Sequence, residues 1–558
     1  MNIKINDVEL TSGDHIAISP NLTVIVGPNN VGKSMLLNSL FVRLSETQNQ
    51  QPPSEQIVAS LQLNNLTYDQ LIERLAAKSE LRPPGTYPQS GYLAEPSYLV
   101  SGNQVIPRSL LLNSIGISNP INKLGPVASV VATLIQPEQR LGQLATSASF
   151  NPTIDSASTP MQKLFRDREL EDKVRELTKR AFNSDITINR HAGREISLHM
   201  GRPSSREPRQ GDNSPYYSEL AALPLAQAQG HGIQAFLGII LAIVAGSYDI
   251  VLIDEPEAFL HPPQMRLLGE MFVGFSRDAV QIIVSTHSDD FLRGVLTAAG
   301  STTETTVARI TRPNPTTNSV AQISSRSLQR LYEDPLLRYS DILDGIFYKG
   351  VVMCEAEGDC KYYAATLDYT IASADGPAMS PDILFTQCGG RDRLAKGVKA
   401  LKAARVPTAV IADIDLLSDK AKFEEVYISL GGSAGALQSQ LNVLQSNIHS
   451  KSSPVDRDYA QTKINDVLNA STSNELTANE IKSIRKHIRA TSGWELIKKN
   501  GKGAVSSGDP STAFDTILEE AKKVGLFLVP VGELERFHPL IAGDKQKWLR
   551  EVFENRSV

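Results

Sequence analysis

The stretch Leu22-Thr-Val-Ile-Val26 runs straight into Gly27-Pro28-Asn29-Asn30-Val31-Gly32-Lys33-Ser34, and an apolar-periodic segment, Met35 to Leu44, follows at once. A β-type run, a turn of the form G-x-x-x-x-G-K-[ST] and a helix in unbroken succession form a short pattern that dictates its own tertiary context. Backbone N–H groups of such a turn and of the helix start converge on an anion, a lysine at position 33 adds charge beside the terminal phosphates, and the Ser34 hydroxyl can reach Mg²⁺. Gly27, Asn29, Asn30, Gly32, Lys33 and Ser34 are therefore expected to cradle a nucleotide, ATP, at the edge of a parallel α/β sheet.

The rest of the first half supplies what such a site lacks. Ile250-Val-Leu-Ile-Asp254-Glu255 reads as a buried strand ending in two carboxylates, the first to hold hydrated Mg²⁺ and the second to orient or deprotonate water. Gln281-Ile-Ile-Val-Ser285 reads as another strand and Gly232 to Ala245 as a core helix, so strands alternate with helices. Between them, about residues 45–217, the chain turns polar and rich in Pro, Gln and Ser, with amphipathic stretches such as Met161 to Ala181; this reads as a helical insertion. Thr305 to Ser324 reads as a hairpin about Pro313-Asn314-Pro315, with a helical segment leading out to about Tyr348.

Beyond the P-loop and this acidic strand end, Pro256 with Glu257-Ala-Phe-Leu-His261 resembles the D-loop of ABC-class ATPases, and Thr286-His287-Ser288 resembles their switch histidine. Gln229-Gly230-His231-Gly232-Ile-Gln234 resembles the ABC signature motif without its usual serine. The resemblance implies that Gly230 and Gly232 N–H groups, and His231, contact a γ-phosphate across a homodimer or higher homo-oligomer, with the insertion as a dimerisation region. Gln89 and Gln104 are the candidates for a Q-loop.

A second α/β pattern follows. Val351-Val-Met-Cys-Glu355-Ala-Glu-Gly-Asp359 sets one carboxylate after a strand and another in the first turn of the next helix, and Ala409-Val-Ile-Ala-Asp413-Ile-Asp415 ends a strand with two more. Carboxylates gathered at strand ends repel one another, and bound Mg²⁺ or Mn²⁺ is the usual remedy. Pairing by proximity in sequence gives one ion to Glu355 and Asp359 and a second to Asp413 and Asp415. Strands are expected at Val351–Cys354, Ile383–Phe385, Thr408–Ala412 and Leu526–Val529, with a helical insertion over about 418–511.

These acids resemble the Toprim signature, E-G-x-x-D then D-x-D, with Ala356 standing where that family has glycine and Gly389-Gly390 at its glycine turn. With the ATPase motifs ahead of them they resemble the overcoming-lysogenization-defect (OLD) nucleases. That resemblance implies a fold of ABC-type P-loop ATPase, residues 1–340, followed by a Toprim α/β module, residues 341–558. It implies a DNA endonuclease regulated by ATP and active against phage, with a defence-system partner, or else an ATP-dependent DNA-binding or effector subunit of a larger nucleic-acid complex. It also implies a last acidic ligand among Glu533 and Glu535, with Glu535 preferred, and a charge-stabilising lysine, Lys545 or Lys547.

Composition bounds the partners. The 558 residues exceed what one core supports, and 41% apolar, 21% charged residues and a net charge of −5 create no global field for nucleic acid. Phosphate contact is therefore expected to be local, from Lys396, Lys399, Lys402 and Arg405 or from Lys482 to Arg489 with Lys498, Lys499, Lys502 and Trp494. The longest apolar run, Phe236 to Ala245, is too short for a bilayer and the N-terminus has no signal pattern, so a cytoplasmic protein is expected. Cys354, Cys360 and Cys388 form no C-x-x-C pair and read as reduced, buried thiols.

Overall fold

A computed structural model describes residues 2–47, 56–87, 91–100, 104–115, 121–151, 157–191, 193–209, 214–277, 280–299, 304–324, 341–373, 382–452, 455–470, 473, 475–488, 492–541 and 545–554. The chain divides into two compact units, Met1–Arg330 and Leu331–Val558.

The first unit is built on a six-stranded sheet. Its strands are β1 (Leu22–Val26), β2 (Ala132–Ile135), β3 (Ile250–Asp254), β4 (Gln281–Ser285), β5 (Thr305–Asn314) and β6 (Thr317–Ser324), in the spatial order β2-β3-β4-β1-β5-β6. The first five are parallel, and β6 closes the edge antiparallel as the second arm of the expected hairpin. All five residues of β1, β3 and β4 are buried, as near-continuous apolar runs in a sheet covered on both faces must be. Helix α1 (Lys33–Ser45) follows the P-loop and buries Leu36, Leu37, Leu40 and Leu44, one helical face. Helix α2 (His231–Val244) is buried from Ala235 to Ile243 and runs through the interior.

The expected helical insertion over residues 45–217 needs correction. Val58–Leu63 pairs antiparallel with Ile5–Leu10, and β2 is an edge strand of the main sheet, in register with β3 from Ala132↔Ile250 to Ile135↔Ile253. Leu61, Leu71, Leu75, Tyr98, Leu111 and Leu124 share one core with α1. Short strands flanked by polar turns carry too few apolar residues to stand out in a Pro/Gln/Ser-rich stretch; burial by distant partners makes them strands. Helices do occur at Pro160–Arg166 and Arg168–Phe182. Of the helical exit to Tyr348, residues 325–340 lie outside the described residues, and Leu343–Phe347 is a single 3₁₀ stretch.

The second unit holds a parallel four-stranded sheet of β7 (Gly350–Cys354), β8 (Ile383–Gln387), β9 (Thr408–Ala412) and β10 (Leu526–Leu528), in the order β8-β7-β9-β10. The segment from residue 418 to 511 is largely helical among its described residues, including Lys420–Ser429, Gln438–His449 and Gly493–Asn500, with turns such as 430–437 between the helices. Cys354, Cys360 and Cys388 are buried thiols, not joined in a disulfide. Among the described residues no helix is long and apolar enough to cross a membrane.

Candidate functional site

The P-loop of the first unit is locked by its backbone. Gly32, the N-cap of α1, has φ 93°, and a Cβ there would stand 2.7 Å from Ile57 Cδ1; at Gly27, φ 144°, the Ile310 carbonyl leaves no room for one. Both positions demand glycine. Asn318, on the hairpin, donates to the Val31 carbonyl at 2.5 Å and ties β6 to the loop. The Lys33 ammonium donates to the Gly27 and Pro28 carbonyls, each at 2.7 Å. Burial lowers its pKa to about 8 although the carboxylates of Glu255, Glu257 and Asp254 pull upward. Asn29, Asn30 and Ser34 face solvent.

On the far side of β4 from β1, Asp254 accepts from the Ser285 hydroxyl, and Glu255 stands at φ 47° with its N–H on the Ser285 carbonyl at 3.0 Å. His287 Nε2 lies 3.7 Å from Glu255 Oε1, and burial, with Lys33 nearby, lowers the His287 pKa to about 4, so the ring is neutral near pH 7. Half-buried Glu257 holds the segment Thr286-His287: it accepts from His287 N–H at 2.5 Å and from Thr286 Oγ1 at 2.9 Å. Gly230 caps α2, Gly232 packs beside the Phe259 carbonyl, and the His231 ring stands edge-on to Phe259 at 5.4 Å. The signature-like turn and the D-loop-like turn are thus in direct contact.

Neither Q-loop candidate is supported. Gln89 lies outside the described residues, and Gln104 sits at a short hairpin, accepting from Ser129. Gln136 instead follows β2 directly, one residue past the partner of Ile253. The signal was present as Ala132-Thr-Leu-Ile135-Gln136, an apolar run ending in glutamine, but nothing in the sequence marks it as the neighbour of β3.

In the second unit, ligand oxygens of Glu355, Asp413 and Asp415 lie within 4.8 Å of one another. The register explains it: β7 and β9 are adjacent and parallel, Cys354 opposite Ile411, so both strand ends reach the same edge. Glu355 Oε1 accepts the Asp413 N–H at 3.0 Å. Burial, then the Asp415 charge, raises the Glu355 pKa. Asp359, itself buried, accepts the Ala356 N–H at 3.1 Å and pins the turn from strand to helix; Ala356 has no positive φ, so it serves where glycine was expected. Gly389 and Gly390 have φ 77° and 110°, as a glycine turn requires.

In the structure Glu355 groups with Asp413 and Asp415, and Asp359 accepts the Ala356 N–H in the loop beneath Glu355. Glu535 lies outside the three-carboxylate group, in the 3₁₀ turn Leu534–Phe537. Glu533 instead acts electrostatically on Lys498.

Lys547 pairs with Glu551 on its own helix at 3.7 Å, and the Lys545 side chain lies outside the described residues. Lys498, from the helix Gly493–Asn500, places Nζ 3.3 Å from Asp415 Oδ2 and 3.8 Å from Asp413 Oδ2. Burial pushes its ammonium down, and Asp415 and Asp413 outweigh this, holding it above its ordinary value. Arg391 Nη1 adds a cation 3.7 Å from Asp415 Oδ2. Of the other expected phosphate contacts, Lys399 pairs with Glu425, Lys402 donates to the Leu430 carbonyl, and Lys502 pairs with Asp515.

The donor set fits a hard divalent cation: three carboxylates converge, and Asp415 Oδ1 is buried without a hydrogen-bond partner among the described residues. The raised Glu355 pKa fixes the sign of one prediction. Its protonated form is favoured in the fold, so its contribution to stability is fully present below the unfolded value and is lost as pH rises through the folded one. At neutral pH and without metal, Glu355→Gln should therefore raise the melting temperature, by about 2–4 °C for each kcal/mol of relieved repulsion. Mg²⁺ or Mn²⁺ should stabilise the wild type and not the variant; thermal scans with and without the ion at pH 7.5 check both signs.

Comparison with known proteins bears on the first unit. Residues 138–293 match the family model described as "AAA domain, putative AbiEii toxin, Type IV TA system", and this segment contains α2, β3, β4 and the turns around Asp254 and His287. The chain carries a P-loop ATPase domain. It is a distant relative of the Old nuclease of Escherichia phage P2, 26% identical over 178 residues, which cover 31% of this chain and 29% of that protein. Among solved structures, the Pyrococcus furiosus Smc head domain with an extended coiled coil, bound to the C-terminal domain of ScpA, aligns with TM-score 0.35 at 12% identity, over 60% of this chain and 99% of that one. The SMC head domain from Thermotoga maritima aligns with TM-score 0.28 at 12% identity, over 58% and 100%.

Proposed function

We propose that this protein is an ATP-hydrolysing, divalent-metal-dependent DNA endonuclease of the OLD kind, in which an ABC-type module governs cutting by a Toprim module during defence against phage. On this reading residues 1–340 are the ATPase, with the 45–217 region contributing to a homodimer, and residues 341–558 are the nuclease. The observation that carries it is the convergence of Glu355, Asp413 and Asp415 within 4.8 Å at adjacent parallel strand ends, with Lys498 beside them.

In the nuclease module, Glu355, Asp413 and Asp415 would hold Mg²⁺ or Mn²⁺. The bound ion supplies a Lewis acid that lowers the pKa of water and takes up charge on a phosphodiester. Asp359 keeps the Glu355 turn in place, while the Lys498 ammonium, already drawn to the carboxylates, is available to charge building on the cleaved phosphate. In the ATPase module, Ser34 and Asp254 would hold Mg²⁺, Lys33 would exchange its loop carbonyls for phosphate oxygens, and Glu255 would take the proton of the attacking water. Neutral His287 donates or accepts a single hydrogen bond beside it, Gln136 occupies the Q-loop position, and Gly230 and Gly232 offer N–H groups at the start of α2 to a partner's nucleotide.

The test is incubation of supercoiled plasmid, and separately of RNA, with purified protein and Mg²⁺ or Mn²⁺, with and without ATP. Lys498→Met should slow cutting by about 10²-fold, the scale of a lost transition-state donor. Lys547→Met should leave the rate near that of the wild type. The opposite ranking would return the lysine role to the C-terminal helix, and a wild type that cuts neither substrate in any nucleotide state would overturn the nuclease reading.

A further inference from the structure

Arg140 is fully buried, in the helix Pro137–Gly142 that begins one residue after Gln136. Its Nη2 donates to the carbonyl of Asp254 and, at 2.9 Å, to that of Glu255. Nε and Nη1 are buried and have no hydrogen-bond partner among the described residues. A charged guanidinium is rarely buried in full unless it is paired, and an apolar side chain would fill the same volume without stranded donors. Its geometry therefore calls for a role that needs those two carbonyls held.

The backbone it holds is an unusual one. Glu255 stands at φ 47° without being glycine, a conformation that survives only where its surroundings over-determine it. Its N–H is fixed by the Ser285 carbonyl at 3.0 Å, and its own carbonyl by Ala258 N–H at 3.0 Å and by Arg140. Removing the guanidinium frees one side of this clamp, and the carboxylate expected to activate water swings with the peptide. The carboxylates of Glu257, Asp254 and Glu255 supply the counter-charge, and although burial lowers the Arg140 pKa to about 10 it remains cationic at neutral pH.

Arg140 also touches α2 through its main chain. A Cβ on Gly238 would run into the Arg140 carbonyl, so the helix after Gln136 lies flush against the helix that carries the signature-like turn. We infer that Arg140 is the positioning residue that holds Glu255 in register for ATP hydrolysis and links that register to the Gln136 turn and to α2. The inference rests on the ATPase reading above, and nothing in it requires the nuclease.

Full-length wild type, Arg140→Met and Arg140→Lys are compared for kcat and KM in ATP hydrolysis and for affinity to a non-hydrolysable ATP analogue. In Arg140→Met, kcat should fall about 30-fold or more, while KM and analogue affinity stay within about threefold, because a displaced base costs the transition state and not binding. Arg140→Lys, which keeps a charge and one directed donor, should recover to within about tenfold of the wild type. An unchanged kcat in Arg140→Met, or an equal loss in analogue affinity, overturns the inference. Should melting curves show that Arg140→Met does not fold, Arg140→Lys decides: a kcat reduced at least about threefold at unchanged KM supports the role, and wild-type kcat overturns it. A wild type that binds the analogue yet hydrolyses no ATP removes the ATPase reading itself, and the inference with it.

Discussion

Glu355→Ala is expected to abolish metal-dependent DNA cutting, by at least about 10³-fold, while ATP hydrolysis stays within twofold of the wild type. The size follows from the geometry: Glu355 belongs to a group of three carboxylates within 4.8 Å, and its Oε1 also fixes the backbone at Asp413. One substitution therefore removes a ligand and loosens the turn that carries two more. Asp413→Asn keeps the shape and loses only charge, so it should show nearly the same defect with less change in melting temperature. Plasmid cleavage and phosphate release, measured on the same preparations across a Mn²⁺ titration, separate the two activities. Partial rescue of Asp413→Asn at high Mn²⁺ is the expected signature of a weakened site, whereas cleavage by Glu355→Ala at the wild-type rate would move the chemistry elsewhere.

Glu255→Gln should reduce ATP hydrolysis by about 10²–10⁴-fold with nucleotide affinity retained, the span of a lost general base. Lys33→Ala should lose both. The difference lies in what each side chain meets: Lys33 bridges the P-loop carbonyls that a nucleotide would displace, while Glu255 stands at the end of β3 with His287 3.7 Å away. If the ATPase governs the nuclease, the two variants trap different nucleotide states, and their cutting rates in the presence of ATP should diverge from each other as well as from the wild type. Equal cutting by both at every ATP concentration would separate the two modules functionally. The neutral state of His287, whose pKa lies at about 4, further implies no titration of hydrolysis by this ring between pH 6 and 8.

Much of this architecture was legible in the linear chain because its signals are local. Five-residue runs at Leu22, Ile250, Gln281 and Thr408 each lead into a chemically distinctive residue, and each is a strand with that residue at or just past its C-terminal end. Glu355, Asp413 and Asp415 could be nominated for the same reason. Ala132–Ile135 was missed because it continues the apolar run from Val127 with no turn residue to separate strand from helix, and only pairing with Ile250–Ile253 makes it a sheet edge. Gln136 and Arg140 were missed with it.

What the chain determined by itself is the set of short-range grammars: glycines at Gly27 and Gly32 where φ is positive and no Cβ fits, strand ends that present acids, and a helix start that presents N–H groups. Tertiary structure alone decided which groups meet. Lys498 reaches Asp415 across 83 residues because the helix Gly493–Asn500 packs back toward the strand ends, and Asp359 accepts the Ala356 N–H of its own loop. Backbone conformation follows from neighbours a few residues away, whereas the partner of a charge follows from packing that closes long loops, and no local pattern encodes that closure.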